Sequence, residues 1–518
     1  MRRLPARLIT NESLDVASLV FKKYRRPIAW IGCLVFSCLL FIAQGPDQPL
    51  RMLSCAEQYY LGQQVAMGRA LYGDMAWNKT PLSIYINSLC FVVCGNALIP
   101  SVILTRFIYW AIFFAGAWPL YGLGRILLGK KPWAALGVGL YLCFPFVLHH
   151  LAGEPDWHLP MITLGVYAVY ASARSRYFGA GLSAGLAFLS WQPGLIFFFI
   201  IMACIGAGED KPRRAWGAAT AGFGLPVAVF VIYFLSQGIL LDFMRLAFLS
   251  TWQNIAQGFW DEVKRIPHYA DFCYAVYKPV IVLSAAGVIL HGLTLGRSWS
   301  QFRQKKAELG IGLAAILTVG YSLVDFQHCD DFLVFIPWVS LYAVYPLRHI
   351  WGLSPRMISR LAGGVLILIF IAGMSRSAGN PGPGVMRFLG HSPGAALSGQ
   401  QDSFFRLLGK CGFERGDRIV CLETALPCLL TAQENTGNKY IYLLDDYYAA
   451  YIRQHEPEAA IRLGEVLSSR DAAFVFFMHD TLERRRHQEW AGRLKALLNE
   501  NYRRLKVDRL DIWSRGKG

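Results

Sequence analysis

The sequence predicts an α-helical polytopic membrane protein with about eleven transmembrane helices and a small C-terminal α/β domain outside the membrane. Of its 518 residues 54% are hydrophobic and only 16% are charged, whereas about a quarter of the residues in soluble domains are charged. Apolar segments of bilayer-spanning length recur to about residue 376, and basic residues recur in every second loop between them. These observations argue against a wholly soluble enzyme.

Residues 1–27 form a basic lead that we expect to remain in the cytoplasm. No small-residue cleavage site follows the first apolar segment, so this segment is predicted to be a retained anchor rather than a removed signal peptide. Positive charge beside a first span favours a cytoplasmic N-terminus. The basic residues of the lead are Arg2, Arg3, Arg7, Lys22, Lys23, Arg25 and Arg26.

The predicted spans lie within a transmembrane domain of residues 28–376. Most have the length of about 16 to 24 residues that a bilayer requires. They lie near residues 28–44, 101–124, 132–149, 157–173, 177–192, 194–207, 216–236, 278–296, 309–325, 332–347 and 361–376.

Loop charge supports this topology. Five successive loops predicted to be cytoplasmic share a surplus of Lys and Arg that the short opposite loops lack, and an odd number of spans places the C-terminus outside. Topology and anionic lipid thus account for the formal net charge of +17, and no nucleic-acid partner is predicted. The basic residues of these loops are Arg125, Lys130, Lys131, Arg174, Arg176, Lys211, Arg213, Arg214, Arg297, Arg303, Lys305, Lys306, Arg348, Arg356 and Arg360.

The first outer loop, residues 45–100, is long for a connection in a compact bundle, and such loops are usually functional. Its segment Pro81 to Gly95 is apolar enough to span, but a span there would reverse every later loop. We therefore predict an interfacial helix on the outer surface.

The composition changes after the last predicted span. A Gly- and Pro-rich linker at residues 377–400 precedes a charged segment, residues 401–518, that we predict to be an extracytoplasmic α/β domain of the βαβ type. Strands are predicted at residues 418–422, 440–443 and 472–477, and amphipathic helices at residues 458–468 and 481–499.

Three outer segments carry residues that could do chemistry. The first outer loop contains Glu57, Asp74 and Lys79. Glu57 begins a segment with helical spacing, and the simplest interpretation is a solvated carboxylate that stabilises a helix N-terminus. A functional interpretation competes with it, because the polar end of this helix faces the mouth of the membrane bundle.

The second outer loop is short and contains three His and two carboxylates between apolar spans. Ionisable groups at membrane depth mark a substrate path or partner one another. A metal site is an alternative, although the ligand spacing fits no common motif. The five residues are His149, His150, Glu154, Asp156 and His158.

The third outer turn runs from Asp325 to Asp331 and includes His328. Arg106 lies one turn inside the second span, near its outer end. A buried Arg needs an anion, which is either a carboxylate of this turn or a phosphate held jointly by Arg106, Lys79 and His328.

In this order, the motifs resemble those of the GT-C glycosyltransferases that use polyprenyl-phosphate sugars, especially the bacterial branch related to protein O-mannosyltransferases and the lipid A aminoarabinose transferase. The first outer loop carries Glu57-Gln-Tyr-Tyr60, Tyr72-Gly-Asp74 and Asn78-Lys79-Thr80-Pro81. Glu154 or Asp156 matches the second acid of the family, which follows the third span. The resemblance covers nearly the whole chain.

A later motif and two departures complete the comparison with the family. The segment from His328 to Pro337 is similar to the family's start of a late span. Ala56 precedes a single Glu57 where the family often has Asp-Glu or Asp. A Lys that commonly follows the fifth span of the family is replaced within Ser190-Trp-Gln-Pro193.

The resemblance implies an integral-membrane glycosyltransferase of the bacterial inner membrane with the GT-C fold. It would move a sugar from a polyprenyl-phosphate donor to an extracytoplasmic glycan, lipid or protein, with inversion. The implied site roles are catalysis by Glu57, Glu154 and Asp156; donor-phosphate binding by Lys79, Arg106 and His328; and acceptor or sugar positioning by Asp74, Tyr60 and Asn78.

No cofactor is predicted, because cationic side chains would neutralise the departing phosphate in place of a metal; a divalent metal ion is the open alternative. Two other function classes compete with the enzyme. A transporter or flippase of a lipid-linked sugar would place its ionisable groups near the midplane and show repeated, broken helices. A non-catalytic scaffold that binds a partner would not require the three acidic outer segments to lie close together.

Overall fold

The computed structural model describes most of the membrane part of the chain and sections of the C-terminal part. The described ranges are residues 30–50, 55–153, 155–209, 211–250, 278–296, 305–324, 333–350, 395–411, 413–414, 417–422, 424–431, 465–469, 472–478, 489–507 and 510–515, with the single residues 357, 364 and 463.

Helices dominate the described residues up to residue 350. They are α1 (Trp30–Ala43), α2 (Cys55–Ala66), α3 (Leu82–Val93), α4 (Leu98–Leu128), α5 (Lys131–Leu142), α6 (Pro145–Gly153), α7 (His158–Ala173), α8 (Tyr177–Ser190), α9 (Leu195–Gly208), α10 (Pro212–Ser236), α11 (Leu240–Met244), α12 (Lys278–Gly296), α13 (Lys306–Val324) and α14 (Ile336–Ile350). A 3₁₀ turn, Gln192–Gly194, precedes α9, and a π-helical turn, Arg245–Leu249, follows α11.

Among the described residues, α4 and α10 are long and apolar enough to cross a membrane by themselves. The helix α5 and residues 147–153 of α6 would add a third span if they are counted as one bent helix, and the remaining apolar helices are shorter. The count of eleven spans stays a prediction, and its last segment, 361–376, lies largely outside the described residues.

The predicted span 132–149 is not one straight helix. Residues 147–153 diverge from α5 by 42°. The break falls at Cys143 and Phe144, directly before Pro145, whose ring disfavours helical backbone in the preceding residue and whose nitrogen cannot donate a hydrogen bond. The bend carries the chain toward the second outer loop. The predicted helix at Pro81 to Gly95 is observed as α3, whereas its interfacial location stays a prediction.

Glycines allow α8 and α10 to pack closely. A Cβ atom at Gly181 of α8 would lie 1.9 Å from the carbonyl oxygen of Ala219, and a Cβ atom at Gly222 of α10 would lie 2.1 Å from that of Phe178. Small residues let helix backbones approach in this way inside a membrane. The interface therefore tolerates no side chain at these two positions without separation of the helices.

Gly181→Ala is accordingly expected to lower the melting temperature of the detergent-solubilised protein, because the added methyl group forces the helices apart at a cost of about 1–3 kcal/mol. Gly179→Ala in the same helix is the matched control, since a Cβ atom there meets nothing within 4 Å. Equal melting temperatures for the two variants would contradict the packing argument.

The C-terminal part contains a mixed four-stranded sheet in the order β1-β2-β4-β3. Its strands are β1 (Ile419–Cys421), β2 (Phe474–Met478), β3 (Arg503–Val507) and β4 (Leu510–Ser514), and its described helices are α15 (Ala395–Lys410), α16 (Leu426–Thr431) and α17 (Glu489–Asn501). β1 and β2 are parallel, whereas β4 is antiparallel to both of its neighbours.

Two of the predicted strands overlap β1 and β2. The β3–β4 pair was not predicted, because its charged residues obscure the alternation of apolar and polar residues that is typical of a strand. The start of α15, which lies inside the predicted linker 377–400, was not predicted either. The predicted strand 440–443 lies outside the described residues, and the boundaries of the predicted domain stay predictions.

The first outer loop packs against the C-terminal part. Helix α2 contacts α16, and buried residues of both belong to one hydrophobic cluster. The backbone N–H of Leu50 donates to Oε1 of Gln400 over 2.8 Å, and Nε2 of Gln400 donates to the Leu50 carbonyl over 2.8 Å. Trp157 packs against both this cluster and the cluster of the membrane helices. The second outer loop therefore lies where the two cores meet.

Candidate active site

Three side chains hold the segment Trp77 to Thr80 in place. The Tyr72 hydroxyl donates to the Lys79 carbonyl over 2.7 Å. Nε1 of Trp77 donates to the Thr80 carbonyl over 3.3 Å. Nε2 of Gln192, after α8, donates to the Asn78 carbonyl over 2.8 Å and also donates to the Ala247 carbonyl. The segment predicted to bind donor phosphate is thus fixed by two residues of its own loop and by Gln192, which lies 114 positions after Asn78.

The Lys79 side chain extends from this segment to the second outer loop. Its Nζ atom lies 4.2 Å from the centre of the Trp157 ring, within cation–π distance. The rings of Trp77 and Trp157 meet edge to face with centroids 5.4 Å apart. Trp157 follows Asp156 in the sequence, so two of the predicted site regions lie together.

Asp156 is buried between two histidines. Its Oδ2 atom lies 2.7 Å from Nδ1 of His158 and 3.4 Å from Nε2 of His150, and its Oδ1 accepts the backbone N–H of His158 over 2.9 Å. Because an ionised carboxylate only accepts hydrogen bonds, Nδ1 of His158 is the donor. The carboxylate is thereby held in one orientation, only 3% exposed.

These partners set the acidity of Asp156. Burial by itself would raise the pKa of the carboxyl group, but the charges and hydrogen bonds of His158 and His150 outweigh burial and hold the pKa well below its ordinary value. The folded protein therefore keeps Asp156 ionised at any physiological pH.

The lowered pKa predicts a loss of stability in acid. In the unfolded chain the Asp156 carboxylate takes up a proton near pH 3.9, whereas in the folded chain it does so only at lower pH. The contribution of ionised Asp156 to the free energy of unfolding is therefore complete above this pH and is lost as the pH falls toward the lower folded pKa. We expect the wild-type melting temperature to fall as the pH drops below about 4. Asp156→Asn should show a shallower fall in parallel scans; an identical pH dependence would contradict this assignment.

Arg106 joins the first and second outer loops. The side chain is fully buried, at 0% exposure. Nη1 donates to the carbonyls of Pro46 over 2.9 Å and Gln48 over 2.7 Å, and Nη2 donates to the carbonyl of Gly153 over 2.8 Å. The guanidinium group thus holds together the backbone on both sides of Asp47 and the residue before Glu154.

Asp47 is a candidate that the sequence analysis missed. It is 1% exposed, and neither carboxylate oxygen has a hydrogen-bond partner among the described residues. Burying a carboxylate without a partner costs free energy of folding. Such a group is therefore expected to bind a ligand or to take up a proton. Its position directly after the first span, at membrane depth, was the available signal.

The remaining predicted residues of the first outer loop differ in their surroundings. Glu57 lies in the first turn of α2, but it is only 7% exposed and is not the solvated carboxylate of the simpler interpretation. Tyr60 is buried in the hydrophobic cluster that α2 shares with α16. Asp74 is exposed, and its Oδ2 accepts the N–H of Ala70 over 2.8 Å, which stabilises a local turn.

The structure therefore brings Lys79 against Trp157, the neighbour of Asp156. Arg106 links the backbone on both sides of Asp47 to Gly153, at the second outer loop. Glu154 and His328 lie outside the described residues, as does the turn from Asp325 to Asp331. Within the described ranges, no three His, Cys, Asp or Glu side chains converge as metal ligands.

Solved structures share this fold across nearly the whole chain. The archaeal oligosaccharyltransferase AglB from Archaeoglobus fulgidus, solved with an inhibitory peptide and a dolichol-phosphate, aligns with 96% of this chain and 75% of its own at a TM-score of 0.52 and 14% identity. ArnT from Cupriavidus metallidurans, bound to undecaprenyl phosphate, aligns with 94% of this chain and 98% of its own at a TM-score of 0.53 and 11% identity.

The apo state of ArnT gives the same result, with 95% of this chain and 98% of that chain aligned at a TM-score of 0.52 and 12% identity. No protein-family model matches the chain, and no curated protein has a significantly similar sequence. At such low identity the likeness concerns architecture alone. The chain has the GT-C fold that these membrane glycosyltransferases share, as its motifs predicted.

Proposed function

We propose that this protein is an integral-membrane glycosyltransferase that moves a sugar from a polyprenyl-phosphate donor to an extracytoplasmic acceptor, with inversion. One observation carries the proposal: a clamped segment holds the Lys79 ammonium group against the ring of Trp157, the residue that follows the oriented and ionised Asp156. A cation near a loop that carries a fixed carboxylate suits a reaction in which a phosphate leaves a sugar. The neighbours solved with dolichol-phosphate and undecaprenyl phosphate support the same donor class.

Lys79 would bind the donor phosphate, with His328 as the predicted second cation. Negative charge grows on the departing phosphate oxygen in the transition state, and a fixed cation stabilises it there more than in the ground state. Arg106 receives a different role from the one that its position in the sequence predicts. Its terminal nitrogens donate to three carbonyls, so we propose that it positions the two acidic loops.

The reaction would be a single displacement. An acceptor hydroxyl or amine attacks the anomeric carbon, the bond from that carbon to the phosphate oxygen breaks, and polyprenyl phosphate leaves with the bonding electron pair. The acceptor proton passes to a carboxylate, for which Asp47 and Glu57 are the two candidates. Asp47 is favoured because both of its oxygens lack partners among the described residues. Asp156 and Glu154 would stabilise the positive charge that develops on the sugar ring.

A flippase remains the alternative of a different class. It would move the whole lipid-linked sugar across the bilayer and transfer nothing. Asp47 and Asp156 lie on loops that follow helix ends, not in the middle of α4 or α10, which favours chemistry at the membrane surface.

The test is transfer of radiolabelled sugar from a panel of undecaprenyl-phosphate sugars to membrane acceptors by protein reconstituted in nanodiscs. We expect transfer by the wild type from at least one donor. Lys79→Met should reduce the rate about 10²-fold, because the phosphate loses a fixed cation. Lys131→Met, which alters an exposed Lys at the start of α5, is the matched control and should keep full activity. Equal rates in both variants would contradict the role of Lys79, and no transfer from any donor would contradict the function.

A further inference from the structure

Three polar atoms beside the clamped segment have no hydrogen-bond partner among the described residues. They are Nε1 of Trp157, Oε1 of Gln192 and Oγ1 of Thr80, and all three are inaccessible to solvent. A buried polar atom without a partner costs about 1–3 kcal/mol, and native proteins leave few of them. Three such atoms beside one segment favour a polar ligand there.

Each of the three residues adjoins or belongs to the segment Trp77 to Thr80. Nε2 of Gln192 lies 2.8 Å from the Asn78 carbonyl oxygen, so Oε1 of the same amide group lies next to this segment. Thr80 is its last residue, fully buried at 0% exposure. The Trp157 ring contacts both Lys79 and Trp77.

The chemistry of these atoms selects the ligand. The indole N–H of Trp157 only donates, the amide oxygen of Gln192 only accepts, and the Thr80 hydroxyl does both. Sugar hydroxyls match all three, because each hydroxyl donates and accepts. A phosphate would be repelled by the Gln192 oxygen, and an isoprenoid tail would leave every atom unsatisfied. The aromatic surfaces of Trp77 and Trp157 suit the apolar C–H face of a sugar ring.

The location fits a donor sugar in particular. The sugar of a polyprenyl-phosphate donor is joined to phosphorus through a single oxygen, so its ring must lie within a few bond lengths of the phosphate. Because Nζ of Lys79 lies 4.2 Å from the centre of the Trp157 ring, a phosphate bound by Lys79 would place the sugar beside Trp157.

We propose that Trp157, Gln192 and Thr80 form the subsite that recognises the hydroxyl groups of the donor sugar. This inference rests on the proposed function, and it assigns sugar recognition to residues distinct from those that bind phosphate or take the acceptor proton. Gln192 has a second task, since its Nε2 also fixes the segment that carries Lys79.

The test compares two lipids in nanodisc binding measurements: undecaprenyl phosphate, and undecaprenyl phosphate carrying mannose, glucose, galactose or aminoarabinose. Wild type should bind at least one sugar-bearing lipid more tightly than the sugar-free lipid. Trp157→Phe keeps an aromatic ring without the N–H, and Thr80→Val keeps the shape without the hydroxyl. Each should weaken binding of that sugar-bearing lipid about tenfold and leave binding of undecaprenyl phosphate within about twofold.

Thr318→Val is the control, because the Thr318 hydroxyl donates to Ala314 within its own helix, α13. An equal loss of affinity for both lipids in Trp157→Phe and Thr80→Val would overturn the subsite, as would unchanged affinity for both. Equal wild-type affinity for sugar-bearing and sugar-free lipids would also overturn it while leaving the phosphate site intact. Failure of the wild type to bind any of these lipids would instead defeat the proposed function and, with it, the subsite.

Discussion

Asp47→Asn is expected to reduce sugar transfer about 10³-fold and to leave the protein at least as stable as the wild type. The amide cannot take the acceptor proton at neutral pH, so the rate falls. Stability is retained because the substitution removes a buried charge whose two oxygens have no hydrogen-bond partner among the described residues. A loss of activity with a gain in melting temperature is the signature of a group retained for function.

Glu57→Gln, measured at matched expression, separates the two candidate bases. If Asp47 is the base, Glu57→Gln should keep most of the transfer rate, since a buried Gln can replace much of the polar contact of Glu57 in the first turn of α2. Loss of transfer in Glu57→Gln together with activity in Asp47→Asn would assign the proton to Glu57. Donor binding, measured in parallel, must survive in both variants for the result to concern proton transfer.

Arg106→Leu is expected to destabilise the protein by about 3 kcal/mol or more and to abolish activity. The substitution leaves the carbonyls of Pro46, Gln48 and Gly153 without their donor, and each buried acceptor without a partner costs about 1–3 kcal/mol. Thermal unfolding of the detergent-solubilised protein measures the effect.

Two further variants control this result. Arg125→Leu changes an exposed Arg of the same helix, α4, and should leave the melting temperature unchanged. Arg106→Lys keeps the charge but lacks the planar fork that reaches three carbonyls, so its stability should be intermediate. If Arg106→Leu melts like Arg125→Leu yet fails to bind undecaprenyl phosphate, the phosphate role suggested by the sequence would be correct and the positioning role wrong.

The sequence predicted the helical class, and the shared GT-C fold confirms it. Composition and segment length suffice for this, because a bilayer demands long apolar helices whatever their packing. Local spacing also located α3, β1 and β2. It failed at the bend before Pro145, where the apolar run continues unbroken although the helix does not, and at β3 and β4.

Single residues were harder to assign because their surroundings are non-local. The sequence left Arg106 with either a carboxylate or a phosphate as its partner, and the phosphate role stays a prediction. No local pattern reveals that its nitrogens reach carbonyls near residues 47 and 153. The positioning role of Asp74, which its motif implied through the family, stays a prediction, and the structure adds that this residue is exposed and accepts a hydrogen bond within its own turn.

The sequence by itself predicted a helical membrane protein, a long first loop that carries acids and a Lys, and motifs in the order that GT-C enzymes have. Hydrophobicity, charge and spacing are local properties, so they can be read without a structure. Only the tertiary structure decided that Asp47 is buried without a partner among the described residues, that Arg106 joins two loops, and that Gln192 holds the segment of Lys79. These contacts join residues dozens of positions apart, and helix packing alone brings them together.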